Sequence, residues 1–130
     1  MTYKANAKSK YVYTIKDIPL VPLTEVSSTR FVSAGDALFS FIENPPGCEF
    51  PIHSHEATQI LVILEGSEEH VCGDETFLME AGDVRIHPSN VPHGGKTSTG
   101  FKGIDVFIPA REDYIELMKK HGLPTEPAKD

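Results

Sequence analysis

The chain has 130 residues, 39% of them apolar, a formal net charge of −7 at pH 7 and two cysteines. A single domain of this length buries roughly two-thirds of the surface its unfolded chain exposes, which leaves no room for a second domain. Lys is clustered only within the first ten residues, so a nucleic-acid surface is excluded, and no stretch approaches the length of a membrane span or the apolar run of a signal peptide. The expected setting is cytoplasmic, with Cys48 and Cys72 as ordinary reduced thiols, because two thiols alone imply no disulfide framework.

Residues 1–10 are polar and Lys-rich and are expected to be a disordered end, followed by one domain over 11–122. Short apolar runs then come at Tyr11–Ile15, Arg30–Val32, Leu38–Glu43, Gln59–Glu65, Glu69–Cys72, Glu75–Glu80, Asp83–His87 and Lys102–Ile108, separated by Gly, Pro, Asp or Asn. Many short strands at regular spacing predict an all-β sandwich or barrel. Gly73-Asp74 and Ala81-Gly82-Asp83 are tight-turn candidates, and Glu65-Gly66-Ser67 is expected to turn the chain. No helical segment of ten or more residues separates two strands before residue 110, so the strands are expected to pair antiparallel. From Arg111 to His121 acidic residues come early, basic ones late, and Gly122 and Pro124 follow; this predicts a short C-terminal helix on the outside of the barrel. The tail over 123–130 is expected to fray.

His53, His55 and Gln59, with His93 further on, carry the chemistry. Side chains alternate along a strand, so offsets of two and four place His53, His55 and Gln59 on one side, read here as the barrel interior. His93 joins from a neighbouring strand. Three imidazoles and an amide form a neutral four-ligand set for one divalent ion, Zn, Ni, Mn or Fe, with coordination positions left for water or substrate. A single His in a strand is more often an ordinary surface or hydrogen-bonded residue; it is the set at this spacing that reads as a metal site. Gln59 is the member with a competing role, hydrogen bonding to a metal-bound water. His87 is expected to point outward or to support a ligand, and His70 and His121 to lie on the surface.

Gly47-x5-His53-x-His55-x3-Gln59-x6-Gly66 and Gly82-x5-Pro88-x-Asn90-x2-His93 resemble the two motifs of the cupin superfamily. The resemblance implies a jelly-roll barrel, the double-stranded β-helix. It departs from the usual motifs in carrying Gln59 for Glu, Asn90 for Gly and Thr97 for Asn. Only the first touches the metal: a neutral shell leaves the full divalent charge in place, which implies a stronger Lewis acid than a Glu-bearing relative has.

The run Asp105-Val-Phe107-Ile-Pro-Ala-Arg111 is a second constellation. Asp105 and Phe107 share a strand face, and the opposite face is Ile104, Val106 and Ile108. A carboxylate in so apolar a strand is costly to bury without a partner or a task. Arg111 is a candidate for that partner, or for a clamp on a substrate carboxylate, and a salt bridge at the barrel rim is the plain structural alternative. Taken with the histidines, this run resembles the small single-domain cupins of the KdgF type, which convert unsaturated monouronates to linear ketone forms. The resemblance implies metal ligands at His53, His55, Gln59 and His93, proton transfer at Asp105, and substrate contacts from Phe107 and Arg111. The implied function is a non-redox, metal-dependent isomerase acting on a carboxylated sugar or other organic acid. A dioxygenase, lyase or cyclase on the same scaffold, or a barrel that only binds metal or sugar, are the alternatives. Strand edges that need covering predict a homodimer, paired through an N-terminal strand.

Overall fold

The computed structural model describes residues 11–127, so both the 1–10 segment expected to be disordered and the last three residues lie outside the described residues. A 3-10 turn at Ile15–Asp17 precedes nine strands and a helix: β1 (Val21–Pro22), β2 (Ser28–Ser33), β3 (Leu38–Asn44), β4 (Glu49–His53), β5 (Thr58–Cys72), β6 (Glu75–Glu80), β7 (Val84–His87), β8 (His93–Lys96), β9 (Phe101–Ile108) and α1 (Glu112–Lys120). Every strand pair is antiparallel, in the order β1-β2-β3-β9-β5-β8-β4, with β6 and β7 added along β5. The curled result is a jelly-roll barrel.

Strict alternation builds the interior. In β3 and β9 every second residue is buried, and Phe31, Leu38 and Phe107 form one apolar cluster while Ile42, Leu61, Ile63, Met79 and Phe101 form another. Burial of such side chains stabilises the fold by about 1.5–3 kcal/mol each. The expected helix is present but does not lie on an outer sheet face. Met118 is fully buried against Phe31, Leu38 and Phe107, so α1 closes one end of the barrel. Its dipole is matched by Glu112 and Asp113 in the first turn and Lys119 and Lys120 in the last.

Three local expectations are corrected. Tyr11–Ile15 is not a strand; Tyr11, Val12 and Ile15 are exposed, so their alternation has no buried face to serve. Glu65-Gly66-Ser67 does not turn the chain. β5 runs on through it, pairing with β7 and β9 over residues 58–66 and with β6 and β8 over residues 67–72. Gly66 permits this with φ of 80° and by lacking a Cβ, which would sit 2.0 Å from the carbonyl oxygen of Gly100. The expected tail is docked in its first part, since Leu123 is buried in the core and the Ser33 hydroxyl donates to the Thr125 carbonyl. Both cysteines are free and buried.

Candidate metal centre

His53 ends β4, His55 lies in the loop that follows, Gln59 is the second residue of β5, and His93 opens β8. The set therefore converges from three strands and a loop, and His53, His55 and Gln59 do not share a single strand. His53 and His93 are direct cross-strand partners. The two ligand segments are tied at the backbone as well: the Asn90 N–H donates to the His55 carbonyl at 2.8 Å. Asn90 has φ of 62°, the left-handed conformation that Gly or Asn accepts most readily, so this departure from the motif keeps the turn.

One ligand nitrogen from each of His53, His55 and His93 lies within 4.8 Å of the others, close enough for one ion to be reached by small side-chain rotations. Each Nδ1 is used: that of His53 donates to the Pro51 carbonyl (2.9 Å), that of His55 to Ala57 (2.8 Å) and that of His93 to Val91 (2.9 Å). This assigns the Nδ1–H tautomer to all three, and every Nε2 then carries a lone pair. Gln59 adds a fourth lone-pair donor. Its Nε2 donates to Asp105 Oδ1 at 2.6 Å, which turns its Oε1 towards His55 Nε2 (3.0 Å) and His93 Nε2 (3.1 Å). In that tautomer no proton lies on either short N···O line. A cluster of bare lone pairs is what a cation satisfies, so the residues present fit a divalent ion. Burial first of all lowers the His55 pKa and takes that of His93 down to about 4, keeping both neutral as ligands require.

Asp105 faces the interior of β9 and is buried. Burial pushes its carboxyl up to about 7, against the Gln59 hydrogen bond that pulls it down. Arg111 is not its hydrogen-bonded partner. The guanidinium of Arg111 holds Asp113 in a two-pronged pair, Nε to Oδ1 at 3.0 Å and Nη2 to Oδ2 at 2.7 Å, and its carbon lies 3.9 Å from the Tyr114 ring centre and 5.2 Å from that of Phe107. Two of its five N–H groups are engaged in that pair, and Tyr114 is a further hydrogen-bond neighbour of the guanidinium. His53, Gln59, Asp105, Phe107, Arg111 and Tyr114 share a cavity of about 60 Å³. Arg111 and His55 also line an outer depression of about 380 Å³ with residues 109–113, so Arg111 stands between inner chamber and rim.

The inner wall holds residues that the sequence reading placed elsewhere. His70 is not on the surface: it and Glu68 point inward from β5 and line the same cavity. His70 Nδ1 bonds Glu68 Oε1, and its Nε2 meets His87 Nε2. His87 does not point outward either. It is fully buried, stacks on His93 with ring centres 4.4 Å apart, and its pKa falls to about 2, chiefly through burial. His121 is half-buried at the end of α1. Glu68 has room because β8 offers only glycine beside it: a Cβ on Gly95 would lie 2.9 Å from the Glu68 carboxyl carbon.

The fold is similar to that of an RmlC-like cupin from Shewanella frigidimarina, at 24% identity and a TM-score of 0.76, over 82% of this chain and 96% of that one. It is also similar to KdgF from Halomonas sp. (20%, TM-score 0.74, 78% and 96%) and to a protein described as a predicted oxalate decarboxylase from Thermotoga maritima (20%, TM-score 0.68, 74% and 96%). At such identities the likeness is one of fold. Curated protein sequences gave no match. The model of the cupin domain matches residues 40–107, a span that takes in the three histidines, Gln59, Asp105 and Phe107. Because that match runs over more than half of its length, the chain belongs to the cupin family.

Proposed function

We propose that the protein is a metal-dependent enzyme that converts an unsaturated uronate to its linear keto form. The observation that carries this reading is the bond from Gln59 to Asp105: one amide joins a neutral ligand cluster to a buried carboxyl whose pKa is about 7. A group poised near neutrality serves proton transfer in either direction. A divalent ion held by His53, His55, Gln59 and His93 would supply Lewis acidity, polarising a substrate oxygen. The remaining work falls to the chain. Arg111 holds the substrate carboxylate through its guanidinium, and Phe107 packs against the sugar. Asp105 moves the protons: one leaves the anomeric hydroxyl as the bond from the anomeric carbon to the ring oxygen breaks, and one reaches carbon as the enol becomes a ketone. The two balance, so no oxidant or hydride acceptor is required. Such an activity belongs to cytoplasmic carbohydrate metabolism.

The test is ultraviolet loss of the conjugated enol acid, comparing metal-loaded wild type with His53→Ala and Asp105→Ala. Accelerated loss that both substitutions abolish is the expected result. Inert wild type with a full complement of metal would overturn the assignment.

The cavity favours a second reading. About 60 Å³ is too small for a sugar ring, so on the first reading the uronate lies in the outer depression and presents only its reacting end to the chamber. A smaller organic acid enters whole, as a dioxygenase, lyase or cyclase substrate, or as the ligand of a barrel that only binds. Oxygen uptake or an iron requirement separates the oxygenase from the rest.

A further inference from the structure

The inner wall carries a charge that the proposed reaction does not use. Glu68 is only 4% exposed and lines the same cavity as His53 and Gln59, among the buried apolar residues Ile42, Leu61 and Phe101. One of its oxygens is bonded: Oε1 meets His70 Nδ1, while Oε2 has no hydrogen-bond partner among the described residues. His70 Nε2 in turn meets His87 Nε2. There the chain of bonds ends, because the buried Nδ1 of His87 has no partner among the described residues.

That orphan atom decides where the protons lie. A proton donated from Glu68 to His70, or an imidazolium at His70, makes His87 Nε2 the acceptor and puts the His87 proton on Nδ1, as an unpaired N–H in the core. In the other direction His87 Nε2–H donates to His70, His70 Nδ1–H donates to Glu68, and the orphan is only a bare lone pair. A buried N–H without an acceptor is the rarer defect, so the second direction is assigned. Both imidazoles are then neutral and Glu68 is a carboxylate whose charge nothing in the chain cancels. Arg111, the cation in the same cavity wall, is already matched by Asp113.

An unmatched anion in so apolar a wall is costly unless a counter-charge reaches it. The ligand cluster has the opposite need: His53, His55, Gln59 and His93 are all neutral, so a divalent ion among them keeps its full charge. The two needs meet in one cavity. The field of Glu68 extends to the ligands, since after burial itself it is the charge that raises the Asp105 carboxyl, and Asp105 is bonded to Gln59. We infer that Glu68 is the counter-anion of the metal centre, a fixed charge oriented by His70 that draws in the divalent ion without ligating it. A carboxylate at this remove balances charge without donating electron density to the ion, so affinity is gained with no loss of Lewis acidity. Asp105, the other carboxyl in the cavity, is assigned to proton transfer and is therefore not a fixed charge; in this step the inference rests on the function proposed above.

Calorimetric titration of the metal-free protein with zinc chloride tests it, beside urea denaturation of the same samples without metal. Glu68→Gln keeps an acceptor for His70 and removes the charge. Its zinc affinity is expected to fall at least about tenfold, while its metal-free form is at least as stable as wild type because an unmatched buried anion has gone. A glutamate kept only for structure gives the reverse, lost stability with unchanged affinity, and that result overturns the inference. Glu68→Gln/Gln59→Glu returns the charge at a ligand position and is expected to recover most of the affinity; a loss that Gln59→Glu leaves unrepaired also overturns it. Should Glu68→Gln not fold, Glu68→Met fills the same space without charge and takes its place in both measurements. Wild type that takes up no zinc overturns the inference together with the metal centre. Zinc affinity is read without turnover, so an inert enol-acid assay and an indifferent Glu68→Gln are separate failures, the first of the proposed reaction and the second of this inference.

Discussion

Gln59 bonds in two directions, so one substitution there changes two properties in opposite senses. Gln59→Glu brings a negative charge to the imidazoles and removes the N–H that Asp105 accepts, leaving two carboxyl groups in contact. Divalent-ion affinity is expected to rise at least about tenfold by calorimetric titration, ~1.4 kcal/mol, while turnover of the enol acid falls. Asp105 supplies a pH prediction. Its carboxyl rises on folding from 3.8 to about 7, so the native state prefers the protonated form. That stability is complete below the unfolded value and is lost as pH rises through about 7. In metal-free protein, Asp105→Asn escapes the loss. Denaturation curves of the two proteins are expected to diverge between pH 4 and 7, with the variant ahead at pH 8 by up to roughly 4 kcal/mol. Curves that stay parallel would show that burial does not perturb Asp105. At this scale the clustering of His53, His55 and His93 was legible from the motif, although the single strand face read from the spacing is absent, and Asp105 stood out because it interrupts an apolar strand. Glu68 and His70 were not. His70 read as a surface residue, and the room for Glu68 beside it depends on Gly95, far along the chain.

Elements show the same division. β3, β6 and β9 announce themselves as short apolar runs bounded by turn residues. β4 and β8 do not: β4 is largely exposed and contains Pro51, and β8 contains two glycines, so neither has an apolar period to detect. They exist because neighbours supply their hydrogen bonds, which is a tertiary fact. Gly66 was misread for the opposite reason, since Gly marks turns far more often than it marks the crossing of two backbones. Gly66→Ala must both adopt a positive φ and displace the Gly100 carbonyl, and a loss of at least about 3 kcal/mol in urea denaturation is expected. His70→Ala tests the inner wall. It leaves Glu68 and His87 buried without the bond each makes to His70, with an expected cost of about 3 kcal/mol or more. Metal affinity should fall as well, because the ring that stacks on His93 loses its anchor.

For the whole molecule, ligand binding and folding are linked. Three imidazoles from separate elements come together only in the native barrel, so metal at a hundred times its Kd is expected to stabilise the fold by about 2.7 kcal/mol. Thermal unfolding with and without a chelator measures this, and His93→Ala should remove most of the response. The barrel itself was legible from strand spacing, and the end that α1 closes was not, because an amphipathic helix shows that it has a buried face without showing where. β5 has one last consequence. Its first half forms part of one wall of the barrel and its second half part of the other, joined through Gly66 with no loop between them. A vessel whose two sides share a stave cannot open like a clamshell. Access to the candidate site is therefore expected at the rim, where the loop bearing His55 and the segment bearing Arg111 line one depression.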